Sequence, residues 1–133
     1  IIYIGQYKSI VDPFAKQKYA KDLAKKIKKE LSILENVAFM ADDREDYSLM
    51  LFYLKEFKGK RAKWNGDIKI SDHYELTTDV NDLIGHNILF LTRTKPTQKM
   101  LDRSYSSDLL KSLQFEERKK TKVFNLYLLK DWR

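Results

Sequence analysis

The stretch Asn36-Val37-Ala38-Phe39-Met40-Ala41-Asp42-Asp43-Arg44-Glu45-Asp46-Tyr47 decides the fold class. An apolar run of strand length passes without a spacer into a tract dominated by acids. The run is too short for a helix and shows no alternation, so Asn36–Ala41 predicts a strand buried on both faces. Aspartate and glutamate are favoured where a helix opens, as caps for its first amides and as complements to its dipole. The acidic tract therefore predicts a helix start, with Tyr47, Met50, Leu51 and Leu54 carrying the helix towards Phe57 and Gly59 stopping it. A buried strand running straight into a helix is the building unit of an α/β domain.

Upstream, Asp12-Pro13 pairs an N-cap acceptor with proline at the first helical position. Tyr19, Ala20, Leu23, Ala24, Ile27 and Leu31 then recur at helical spacing, so Phe14–Leu31 predicts an amphipathic helix with lysines on its outer face. Downstream, Lys60–Trp64 predicts a second strand ending in the turn pair Asn65-Gly66, and Asp67–Ile70 reads equally as a hairpin partner or an ordered loop. Asp79–Ile84 predicts a short helix closed by Gly85, leading into the strand Asn87–Leu91. Pro96 marks a loop, and Thr97–Leu110 has weak helical character. Leu113–Lys119 and Val123–Leu129 alternate on either side of polar Lys120–Lys122, which predicts an antiparallel hairpin at a sheet edge. Strands interleaved with helices predict one three-layer α/β domain over residues 1–133. Its sheet should be mixed, mostly parallel, of about four to five strands, with Val37–Ala41 and Ile88–Leu91 central or adjacent.

The composition agrees with one folded domain. Of 133 residues, 43% are hydrophobic and 13% aromatic, enough for a core without staples. The absence of cysteine excludes a disulfide framework, a thiolate metal site and a cysteine nucleophile. No apolar run approaches the ~20 residues that span a bilayer. The start Ile1-Ile2-Tyr3-Ile4 lacks an initiator methionine and reads as a cut or processed end. A net charge of +7 points to an anionic partner: nucleic acid, phospholipid headgroups or lipid-linked phosphate.

Residues that could carry chemistry are few. Asp42, Asp43 and Asp46 form the densest carboxylate cluster; a divalent cation is one use for them, but their place at a strand-to-helix junction favours capping. His73 and His86 are isolated in sequence, and a catalytic base needs a partner in reach. Four glycines, at 5, 59, 66 and 85, never form a phosphate loop. These residues predict no catalytic centre, no bound cofactor and no metal. Lys55, Lys58, Lys60, Arg61, Lys63 and Trp64, interleaved with Phe57, form a candidate surface for anionic lipid or substrate. The same mixture of cations and rings is what single-stranded nucleic-acid binders use, which makes a free-standing nucleic-acid-binding domain the alternative. A small enzyme built on Asp42, Asp43 and a histidine is a third reading.

Four segments, taken in order, resemble the C-terminal exported domain of bacterial membrane glycosyltransferases related to the dolichyl-phosphate-mannose–protein mannosyltransferases, a group that includes the aminoarabinose transferase of lipid A. They are Asp12-Pro13 with the helix through Tyr19 and Leu23-Ala24; Val37–Asp42 followed by Leu51-Phe52-Tyr53-Leu54; His73-Tyr74-Glu75-Leu76; and Leu83–Leu91. Departures lie at Tyr19, where the family has a Gly-Trp pair, and at Glu75-Leu76, which lacks the family's aromatic. Thr97–Arg133 matches only as a final hairpin. The resemblance implies an exported domain on the periplasmic or outer face of the bacterial inner membrane, following a multi-spanning membrane portion that holds the catalytic acid. Such proteins transfer a sugar from a polyprenyl-phosphate donor. The partners implied are that membrane portion and an anionic lipid or lipid-linked sugar.

Overall fold

The computed structural model describes residues 19–64, 80–117 and 120–133. Asp12-Pro13, Asn65-Gly66, Asp67–Ile70 and His73-Tyr74-Glu75-Leu76 lie outside the described residues. In chain order the elements are helix α1 (Tyr19–Ile33), strand β1 (Val37–Ala41), helix α2 (Arg44–Tyr53), strand β2 (Arg61–Lys63), a 3-10 turn (Val80–Leu83), strand β3 (Asn87–Thr92), helix α3 (Gln98–Asp102), and strands β4 (Ser106–Glu117) and β5 (Lys120–Lys130).

One five-stranded sheet runs in the order β2-β1-β3-β5-β4. β1 pairs in parallel with β2 and with β3, Phe39 standing opposite Arg61 on one side and Leu89 on the other. β5 runs antiparallel to both β3 and β4. The fold is α/β with a mixed sheet; its parallel and antiparallel pairings are evenly divided, because β5 runs against both of its neighbours.

β1 and β3 sit side by side in the interior of the sheet, and their alternate residues feed two different cores. Val37, Phe39, Ala41, Leu89 and Leu91 face α1 and α2, where Leu23, Ile27, Tyr47 and Met50 meet them. Ala38, Met40, Ile88 and Phe90 face the opposite way, onto Leu83, Met100, Trp64 and Trp132. Both layers need apolar residues, which is why these strands read as unbroken apolar runs. The long helices thus cover one face, while the 3-10 turn, α3 and Trp132 cover the other.

Local chemistry accounts for the element ends. Asp43 is the N-cap of α2, its carboxylate accepting the backbone N–H of Asp46 at 3.0 Å. α2 stops at Tyr53 with Leu54 as its C-cap, earlier than Phe57. The chain then turns through Gly59, where an added Cβ would collide with the Phe57 ring. Asn36, in the left-handed region at φ 49°, turns the chain from α1 into β1, and its side chain donates to the Gly85 carbonyl at 3.1 Å. Gly85 itself has φ 87°, a conformation that side chains disfavour.

Two expectations for the C-terminal third are corrected. Helix occupies only Gln98–Asp102 of the stretch Thr97–Leu110, and the chain is in strand from Ser106 onward. Lys120–Lys122 does not separate the hairpin strands but belongs to β5, opposite Glu117, Thr121 to Glu116 and Lys122 to Phe115. Polar residues remain in the ladder because this part of β5 pairs with β4 alone; β3 is joined to β5 only over Asn125–Leu129. An irregularity between Leu109 and Lys111 adds one residue to β4. Past it, Lys111 reaches α1, its Nζ 2.9 Å from the Glu30 carboxylate.

Candidate functional site

The carboxyl ends of β1 and β3 open into a polar cleft. The chain leaving β1 travels to β2 on one side, and the chain leaving β3 travels to the hairpin on the other. The connections therefore part between these two strands, and open α/β sheets bind ligands in such a crevice. Here the crevice is a hollow of about 220 Å³ lined by Asp42, Asp43, Thr92, Arg93 and Thr94.

Each ionisable side chain in it has a structural bond. Thr92 Oγ1 donates to Asp42 Oδ2 at 3.0 Å. Asp43 caps α2. Arg93 grips Asp46 through two bonds, Nε to Oδ2 at 2.9 Å and Nη2 to Oδ1 at 2.8 Å, and lies over the Phe124 ring with its guanidinium carbon 5.3 Å from the centroid. Asp46 is 1% exposed. Burial pushes its carboxyl above the usual carboxylate range, while Arg93 pulls the other way by bonding the ionised form. The same bonds to Asp46 raise the guanidinium above its ordinary value, so it stays protonated. Asp42 is also pushed up by burial, against the Thr92 bond that favours its anion. Thr94 is held through its amide, which donates to Thr92 Oγ1 at 3.2 Å, and through its carbonyl, which accepts from Asn125 Nδ2 at 2.6 Å. Carboxylate and hydroxyl oxygens on this rigid rim suit a hydroxyl-rich ligand, which both donates and accepts.

Asp42, Asp43 and Asp46 were legible as a helix start; Arg93 was not. It stands at the end of an ordinary strand pattern, and its partner is 47 residues away in sequence. Among the described residues, no three histidine, cysteine or acidic side chains converge as metal ligands. His86 is half-buried, its Nδ1 3.4 Å from the carbonyl of Ile84. His73 lies outside the described residues.

The cationic stretch divides into two groups. Lys55, Lys58 and Lys60 are exposed, with the Lys55 ammonium 5.3 Å from the Phe52 ring centroid and Lys60 Nζ donating to the Asp82 carbonyl at 3.1 Å. Arg61 turns back on α2, donating to the carbonyls of Leu54, at 3.3 Å, and Phe57. Lys63 is 6% exposed and Trp64 9%. Trp64 meets Trp132 edge-to-face at 5.7 Å between ring centroids, inside the second core. Trp132 is fastened there by Nε1–H donating to the Val80 carbonyl at 3.0 Å and by the Arg103 guanidinium 4.7 Å above its ring.

Comparison with protein-family models, with curated proteins and with solved structures found no match.

Proposed function

We propose that this chain is a non-catalytic domain of a polyprenyl-phosphate-sugar-dependent membrane glycosyltransferase, and that it holds the acceptor in the cleft between β1 and β3. The observation that carries this reading is the cleft itself, a polar rim at the strand ends whose carboxylates, Asp42 and Asp43, are bonded to Thr92 and to a helix amide, with Arg93 held beside them by buried Asp46. Such groups are fixed as acceptors for ligand hydroxyls and are not arranged as a nucleophile with its base. The ordered resemblance of four segments to the exported domains of these transferases supplies the enzyme class and the location, on the periplasmic or outer face of a bacterial inner membrane. Catalysis would belong to the membrane portion. No helix among the described residues is long and apolar enough to cross a membrane.

Nucleic-acid binding through Lys55–Trp64 is less well supported. A stacking platform needs an accessible ring, and Trp64 is packed against Trp132.

The test begins with the complete reading frame that contains this chain, which should encode several apolar spans upstream of Ile1. The whole protein in membranes should transfer sugar from a polyprenyl-phosphate donor, and Asp42→Ala with Thr94→Val should raise the KM for acceptor with little change for donor. A reading frame with no membrane portion would overturn the proposal.

A further inference from the structure

A second hollow lies in the helical layer. Between the C-terminal half of α1 and the segment that follows α2 is an open trough of about 300 Å³, lined mostly by carbon, with Leu31 and Phe57 among its walls. Along the same two helices a smaller hollow of about 200 Å³ continues over Ala24 and Tyr53. Lys28 borders both hollows.

We propose that this trough binds a single-chain anionic amphiphile, its alkyl chain on Leu31 and Phe57 and its acidic headgroup held by Lys25 and Lys28. Charge and shape coincide at this place. Lys25 and Lys28 are spaced three apart, so they stand on one stripe along α1 beside the hollows. Like charges at that spacing repel one another and weaken a helix. α1 carries five lysines against Asp22 and Glu30, and Glu30 is bonded to Lys111. At the trough, Glu56 stands 3.7 Å from Lys28 Nζ, but it is 79% exposed, so water screens that contact and a tighter anion displaces it readily. A ligand with an acidic end and an apolar end uses both features. A free phosphate would use the lysines and leave the trough wetted; a neutral lipid would use the trough and gain nothing from the lysines. The inference rests on this groove alone and stands apart from the reading of the strand-end cleft.

Isothermal titration of the 133-residue chain with dodecyl phosphate, kept below its micelle-forming concentration, tests it. Saturable one-to-one binding is expected. Lys25→Glu with Lys28→Glu should weaken it by at least about tenfold. Ser32→Phe, at an exposed position lining the trough, should weaken it comparably while keeping every lysine. Inorganic phosphate should bind at least about a hundredfold more weakly than the amphiphile. Thermal melts of both variants should each show one cooperative unfolding transition, since the three positions are exposed. Absence of binding would overturn the proposal, as would equal affinity for inorganic phosphate or indifference to both variants. Capture by phosphatidylglycerol vesicles without uptake of the monomer would overturn it too, by making the stripe a membrane-facing surface.

Discussion

Arg93 and Asp46 show how one pair can join two distant parts of the chain. Removing the guanidinium by Arg93→Ala would leave a carboxylate buried without its partner, a change that costs about 3–5 kcal/mol for fully buried pairs. Arg93 keeps 38% of its side-chain surface exposed, and water can enter where it was. A loss of about 2–3 kcal/mol at pH 7 is therefore expected in urea denaturation. The loss should shrink in acid. Without Arg93, burial acts unopposed on Asp46 and its folded pKa rises further above the unfolded value. A carboxyl raised in this way binds protons more strongly in the folded state, so the variant gains stability as pH falls through that folded pKa. Asp42 permits a second check with the same sign. Burial raises its pKa, so the ionised form works against folding at neutral pH. Asp42→Asn, which keeps an oxygen for Thr92, should be at least as stable as the unaltered chain at pH 7. Any advantage should vanish as pH falls towards the ordinary carboxylate value and Asp42 protonates. Greater instability of Asp42→Asn at pH 7 would mean that the Thr92 bond to the anion outweighs burial.

Capping governs behaviour at the scale of the element. Asp43 accepts the Asp46 amide at the first turn of α2, and its replacement by alanine should cost about 1 kcal/mol, read from the urea midpoint at unchanged slope. The acidic tract was legible as a helix start because capping depends on residues three apart, a distance set by the helix itself. Titration with manganese or magnesium should give no micromolar binding. Such binding, abolished in Asp43→Ala, would show the tract to be a metal site. The hairpin was harder to read. Leu109-Leu110 beside Lys111 suits helix and strand alike, and the extra residue at that point breaks the alternation that marks a strand. Pairing with β5 settles the matter, and that pairing is not encoded in any short window.

For the whole molecule, the fate of Trp64 is decisive between two uses of the positive charge. Trp64→Ala would empty a site in the second core, and a loss of about 3–5 kcal/mol is expected in denaturation. The folded fraction should show unaltered affinity for single-stranded oligonucleotide; a drop of ~1–3 kcal/mol would instead identify a stacking platform. Binding to anionic vesicles should be weak and should fade with added salt, because exposed lysines act through a screened field. Sequence alone determined the order and type of most elements, since apolar periodicity, caps and left-handed turn residues act over a few neighbouring positions. It placed β1 and β3 in the interior for the same reason: their unbroken apolar runs admit no wet face. Only the tertiary structure decided which strand ends meet, that Arg93 completes Asp46, and that Lys63 and Trp64 turn inward while Lys58 and Lys60 stay in water. Burial and pairing depend on segments far apart in the chain, and the forces that choose among them act only when those segments come together.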